Sequence, residues 1–202
     1  MKLYTGMGPN PRVVTLAIAE TSANVDIVEV DLLGGENRQG NHLDRNPAGQ
    51  IPTLELDDGS FLSEVTVIAE YIDEKQGGSL MGATAEERAE TRMWTRRIDL
   101  NIAEPMANGF RFTEGLPLFE TRIHVIFAAA DDFKQIAQEK LLWLDGLMDG
   151  KDFVCGDRFT IADILLFAFL EFGASVGQPL DAKCERLQAW YARVAARPSV
   201  AG

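Results

Sequence analysis

The chain of 202 residues is poor in the groups that most often announce a chemistry. It has two cysteines, Cys155 and Cys184, far apart and neither with a second cysteine at CxxC spacing. No disulfide framework or zinc site is therefore indicated, and both read as small buried hydrophobes. It has two histidines, His42 and His124, without partners at ligand spacing, so no metal is expected; His124 is expected within a helix and carries no role. Positive charge is scarce: 19 Lys and Arg against 31 Asp and Glu give a net charge of −12, a field that repels nucleic-acid phosphates and anionic membrane surfaces. It does not exclude a small anionic ligand, because a helix N-terminus outweighs the average charge locally. The longest strongly apolar run, Ile164 to Leu170, stops at Glu171, far short of the roughly 20 residues a membrane helix needs, and reads as a core helix. The opening Lys2-Leu3-Tyr4-Thr5 leads straight into Gly/Pro-rich sequence, without the apolar stretch of a secretory signal, which points to a cytoplasmic protein.

What is present is ordinary globular material, 46% hydrophobic and 25% charged, in two segments of different pattern. Residues 1–75 alternate strand-like and helical runs. Leu3–Thr5, a helix over about 12–22 and a strand over 27–31 make a βαβ unit; after a polar loop over 32–46, Thr53–Leu56 and Phe61-Leu62 flank an Asp58-Gly59 turn as a hairpin, and a helix follows over about 63–75. Gln76-Gly77-Gly78-Ser79 reads as a helix stop opening a linker over 76–83. Residues 84–202 show helices alone. Thr84 with Glu87 forms a capping box that starts a long helix over 85–112; further helices are predicted over 119–148, from Thr160 with Asp163 as a second capping box, and over 183–196.

Two segments are more specific than periodicity: Asn46-Pro47-Ala48-Gly49-Gln50-Ile51-Pro52-Thr53-Leu54, followed by Glu64 and Ile68-Ala69-Glu70-Tyr71-Ile72, and Gly156-Asp157-Arg158-Phe159-Thr160-Ile161-Ala162-Asp163-Ile164. In order and spacing they resemble the cytosolic glutathione transferase superfamily of bacterial type, over nearly the whole chain. The resemblance implies an α/β plus all-α fold: an N-terminal thioredoxin-like domain with a mixed four-stranded sheet in βαβ-αββα order, then an all-helical C-terminal domain, usually in a homodimer. It also implies a cis Ile51–Pro52 peptide whose Ile51 backbone N–H and C=O pair with the cysteinyl part of glutathione. From spacing alone, Pro52 would be a plain trans proline opening a strand.

Glutathione attacks only as thiolate. Lowering a thiol pKa by two units takes about 2.7 kcal/mol, whereas a helix N-terminus supplies about 0.3–1 kcal/mol, so a hydrogen-bond donor is needed beside it. Family members place Tyr, Ser or Cys in the loop after the first strand. Here the loop is Thr5-Gly6-Met7-Gly8-Pro9-Asn10-Pro11-Arg12, without Ser or Cys, and Tyr4 sits in the strand. Asn10 is the best remaining donor toward sulfur, with Thr5 second; Asn10 reads equally as a helix N-cap before Pro11. For the γ-glutamyl group the family uses an acid followed by Ser or Thr. Glu64 matches, but Val65 replaces the hydroxyl and leaves only its backbone N–H. Glu64 reads otherwise as a solvated first-turn acid. Asn37 and Gln50 lie where relatives contact glutathione, and each also fits a polar loop residue, as does Arg38.

Met7, Met106 and Phe110 are the candidates for a hydrophobic electrophile pocket, although an apolar stripe at helical spacing is as readily core. The implied activity is glutathionyl transfer to an electrophilic small molecule or mixed disulfide, with glutathione as co-substrate. Its rivals are a non-catalytic ligand-binding protein of this fold and a glutathione-dependent lyase or reductase of ether-cleaving or dehalogenating type.

Overall fold

The computed structural model describes residues 1–201 and divides them at Ala83–Thr84 into two compact units. In the first, β1 (Lys2–Thr5), α1 (Pro9–Thr21) and β2 (Asp26–Glu29) form the βαβ unit, with β1 and β2 parallel and Lys2 opposite Asp26. A short 3₁₀ turn and α2 (Gly40–Arg45) follow, then β3 (Thr53–Glu55), β4 (Phe61–Leu62) and α3 (Val65–Lys75). The sheet order is β2-β1-β3-β4, with β3 antiparallel to both β1 and β4. This is the four-stranded mixed sheet of the expected fold class. The stretch 32–46, read from its residues as a plain polar loop, instead contains α2; six residues are too few to show apolar periodicity, and only the resemblance implied a helix there.

Alternation along the strands assigns the two sheet faces. Leu3 and Leu54 pack with Val14 of α1 and with Ile68 and Ile72 of α3. Tyr4 turns the other way, onto Val30 and Ile51, and the Arg45 guanidinium of α2 lies 4.1 Å from its ring centroid. After α3, the chain does not run as a free tether. Asp73, itself buried, accepts hydrogen bonds from the backbone N–H groups of Ser79, Leu80 and Met81 at 2.8–2.9 Å, and Leu80 and Met81 are buried with it.

The second unit is helical. α4 (Ala85–Ile98) starts at the expected capping box, Thr84 Oγ1 accepting from the Glu87 N–H and the Glu87 carboxylate from the Thr84 N–H, both at 3.2 Å. A π-turn over Asp99–Ala103 joins it to α5 (Glu104–Arg111), where Pro105 has no N–H to continue the α ladder. The helix predicted over 119–148 is corrected. A four-residue α6 (Leu116–Phe119) is followed by irregular backbone, and α7 runs only over Ala130–Leu147. Residues 121–126 are Thr-Arg-Ile-His-Val-Ile, rich in β-branched side chains that disfavour helix, and His124 accordingly lies exposed outside any helix. α8 (Ile161–Ser175) is buried on every side from Ile161 to Leu170, the pattern of a central core helix. α9 (Glu185–Ala195) and the short α10 (Pro198–Ala201) complete the described chain.

Asp163 anchors this unit. One carboxylate oxygen accepts from the Thr160 N–H at 2.9 Å and the Thr160 hydroxyl at 3.1 Å, the other from the Val154 N–H at 2.9 Å and Trp190 Nε1–H at 2.8 Å. Burial pushes its carboxyl above the usual range while these donors oppose the shift. The box thus joins the start of α8 to the preceding loop and to α9.

Candidate functional site

Strand direction brings three pieces of the first unit to one edge. β1 runs toward the edge, β3 starts there and β4 ends there, so the β1–α1 loop, the turn before β3 and the start of α3 are neighbours around the C-terminal end of β1. The Ile51–Pro52 peptide is cis, as the resemblance implied. Tyr4 pairs with Thr53, which places Thr5 and Gly6 beside that turn, and a Cβ on Gly6 would stand 3.0 Å from the Ile51 side chain and 3.1 Å from the Val30 carbonyl. A side chain at Gly6 would need these neighbours to give by a few tenths of an ångström, so the approach of β1's end to the turn is tight there.

α1 begins differently from the N-cap reading of Asn10. Gly8 is the N-cap, at φ +117°, a conformation that glycine adopts without cost, and Pro9 takes the first helical position, for which its ring is preset. Asn10 falls inside the first turn. Because Pro9 and Pro11 have no N–H and the Arg12 N–H bonds to the Gly8 carbonyl, Asn10 supplies the one uncommitted backbone donor among residues 9–12. Its side-chain amide has no hydrogen-bond partner among the described residues and is half-buried. Thr5 Oγ1 is buried and likewise has no partner. The Tyr4 hydroxyl is committed: it donates to the Glu55 carboxylate at 2.7 Å. Burial first and then that carboxylate push the phenol pKa up, so Tyr4 supplies nothing to the edge.

At α3, Glu64 is the N-cap and holds φ +68°, ψ 115°, a strained backbone for a residue with a side chain. No side chain caps the helix, so the Val65 N–H points out of its first turn uncovered. Glu64 is exposed, as is Gln50, while Ile51 and Pro52 are buried. Asn37 does not reach outward. It is buried, and its Nδ2 donates to the Gly49 carbonyl at 2.6 Å, so it braces the turn from behind. Arg38 Nη1 likewise donates to the Ala48 carbonyl at 3.2 Å.

The apolar candidates separate between the units. Met7 belongs to the first and is 58% exposed. Met106 and Phe110 belong to the second, and Met106 departs from the pocket expectation: it is wholly enclosed, packed on Gly173, and is a core residue. Phe110 is half-buried, in edge-to-face contact with Phe119 and Phe172. Among the described residues, no cluster of three or more His, Cys, Asp or Glu is placed to hold a metal.

One group of residues escaped sequence reasoning. The Gln50 carbonyl faces His42 Nε2 at 2.9 Å, Asn46 Nδ2 at 2.9 Å and Thr53 Oγ1 at 3.3 Å. The i, i+4 spacing of His42 and Asn46 is the signal that recognising α2 would have exposed.

Comparison with known proteins identifies the family of both units. Residues 1–74 match the family model described as glutathione S-transferase, N-terminal domain, and residues 128–198 the corresponding C-terminal domain. The chain is 35% identical over 201 residues to glutathione S-transferase 2 of Saccharomyces cerevisiae, covering 97% of this chain and 85% of that one. It is 28% identical to glutathione S-transferase GstA of Escherichia coli over 99% of this chain and 95% of that one. Among solved structures, yeast Gtt2 superposes with a TM-score of 0.92 at 34% identity, covering 100% of this chain and 99% of that one. A glutathione S-transferase domain-containing protein of Marinobacter aquaeolei superposes at 0.93 and 37%, covering 99% and 100%.

Proposed function

The chain belongs to the glutathione S-transferase family, and from that premise we propose that it is a glutathione transferase, which binds glutathione and transfers its thiolate to an electrophilic small molecule or a mixed disulfide. The observation that carries the site assignment is the meeting, at one sheet edge, of the cis-Pro52 turn with the uncapped starts of α1 and α3. Ile51 offers the cysteinyl part its N–H and C=O. Gln50 and the Glu64 carboxylate contact the peptide, Glu64 receiving the γ-glutamyl ammonium, while the Val65 N–H receives the α-carboxylate at a helix N-terminus. Asn10 faces the sulfur with its backbone and side-chain donors, and the buried, unpartnered Thr5 hydroxyl stands behind it. Asn37 acts through Gly49 by holding the turn in shape.

The protein contributes no nucleophile. Its task is to favour the thiolate over the thiol, and the donors at Asn10 are what this edge has for it. The second substrate is a hydrophobic electrophile, with the exposed Met7 as the apolar contact that the first unit offers it. We read the protein as a cytoplasmic homodimer serving detoxification, by family likeness; no helix among the described residues is long and apolar enough to cross a membrane.

One observation favours a rival. With no Ser or Cys in residues 5–12 and the Tyr4 hydroxyl bound to Glu55, a glutathione-binding protein with feeble thiol activation fits the same edge. Calorimetry with glutathione followed by turnover of a model electrophile decides. Binding with turnover supports the transferase, binding without turnover supports the rival, and no binding removes both.

A further inference from the structure

We propose that His42 is a positioning residue for glutathione: through its hydrogen bond to the Gln50 carbonyl, it sets the direction in which the next residue, Ile51, presents its main chain. The inference rests on the reading of the Ile51 turn as the glutathione site. A carbonyl oxygen only accepts, so His42 Nε2, at 2.9 Å from it, carries the proton and donates. Asn46 is pinned in the same sense, because its Oδ1 accepts the Ala48 N–H at 3.1 Å and thereby turns Nδ2 toward Gln50.

The donors differ in origin. Thr53 opens β3 and Asn46 is the C-cap at which α2 ends, its N–H bonded to the His42 carbonyl, whereas His42 lies within α2 and is the one of the three donors that comes from the body of a helix. The cost of this arrangement is visible on the same ring. His42 is 2% exposed and its Nδ1 is buried without a partner, although an apolar ring of similar size would leave no such atom. A residue retained only to fill space would do better as phenylalanine; the Nε2 donor is what an imidazole adds.

His42→Phe separates the roles. It deletes the donor and the orphaned Nδ1 together, and Asn46 and Thr53 still satisfy the carbonyl, so the fold is expected to keep its melting temperature. The KM for glutathione is expected to rise about five- to tenfold, the worth of one hydrogen bond, with kcat at saturating glutathione within about twofold of the parent. His42→Gln, whose Nε2 lies the same number of bonds from Cα, is expected to restore the parental KM. An unchanged KM in His42→Phe overturns the proposal, and so does a failure of Gln to rescue. Amide hydrogen exchange over residues 46–56 reads the turn without ligand. Faster exchange in His42→Phe than in the parent and His42→Gln supports the proposal, and equal exchange in all three sinks it. If the parent itself does not bind glutathione, the functional reading falls, and the exchange comparison still decides whether His42 holds the turn.

Discussion

At the scale of single residues, the donor proposed to face the glutathione sulfur can be tested at Asn10. Asn10→Ala removes the side-chain amide and keeps the backbone N–H that Pro9 and Pro11 leave exposed. A loss of about tenfold in kcat/KM near neutral pH is expected, together with a raised pKa of the bound thiol followed by thiolate absorbance. Parental kinetics would remove Asn10 from the chemistry. Val65→Ser supplies the hydroxyl that the family resemblance implies after the acid, and if the γ-glutamyl carboxylate is held at the start of α3 as proposed, one additional hydrogen bond should tighten glutathione about fivefold by calorimetry. Equal affinity would mean that the carboxylate does not sit at the start of α3. Tyr4 can be tested by titration. Its hydroxyl first, and Lys2 after it, hold the Glu55 carboxyl below the usual range. A lowered acid stabilises the fold above its unfolded pKa of about 4.3, and that contribution is lost as pH falls through the folded value. Tyr4→Phe should therefore move the Glu55 titration upward in carboxyl NMR, and an unmoved curve would refute the coupling.

At the scale of elements, the helix starts marked by a capping box were legible, whereas those of α1 and α7 were not. Thr84–Glu87 and Thr160–Asp163 announce themselves because a capping box is local, its two partners three residues apart. The hairpin and the βαβ unit were readable for the same reason. What local pattern could not show is the load that Asp163 carries, since Val154 and Trp190 reach it from outside the motif, or the break over residues 120–129, where apolar spacing looks helical and β-branching decides otherwise. At the site, the motif around Pro52 was visible, but the Gln50 hub depends on a helix too short to read. Asp163→Ala strands up to four buried donors and should cost about 3 kcal/mol or more in chemical denaturation, well beyond the roughly 1 kcal/mol of an ordinary cap. A loss no larger than a cap would mean that water replaces the carboxylate.

At the scale of the molecule, the joint between the units follows from Asp73. Composition alone marks residues 76–83 as a spacer, and the helix does stop at Gly77-Gly78, both at positive φ. The chain is then drawn back, because the Asp73 carboxylate takes three successive amides, a ring of charge-assisted bonds that holds Leu80 and Met81 in the first unit. The boundary at Ala83 is thus set by one side chain at the end of α3 and not by the glycine pair. Asp73→Ala frees those amides while leaving the sheet, both hydrophobic clusters and the Pro52 turn untouched. Limited proteolysis should then cut within residues 76–83 at least tenfold faster than in the parent, with a stability loss of about 2–3 kcal/mol, while glutathione affinity stays parental. Cleavage at the parental rate would show that burial of Leu80 and Met81 suffices. A fall in glutathione affinity along with faster cleavage would show that the joint and the site are coupled, which nothing in the first unit's hydrogen bonding requires.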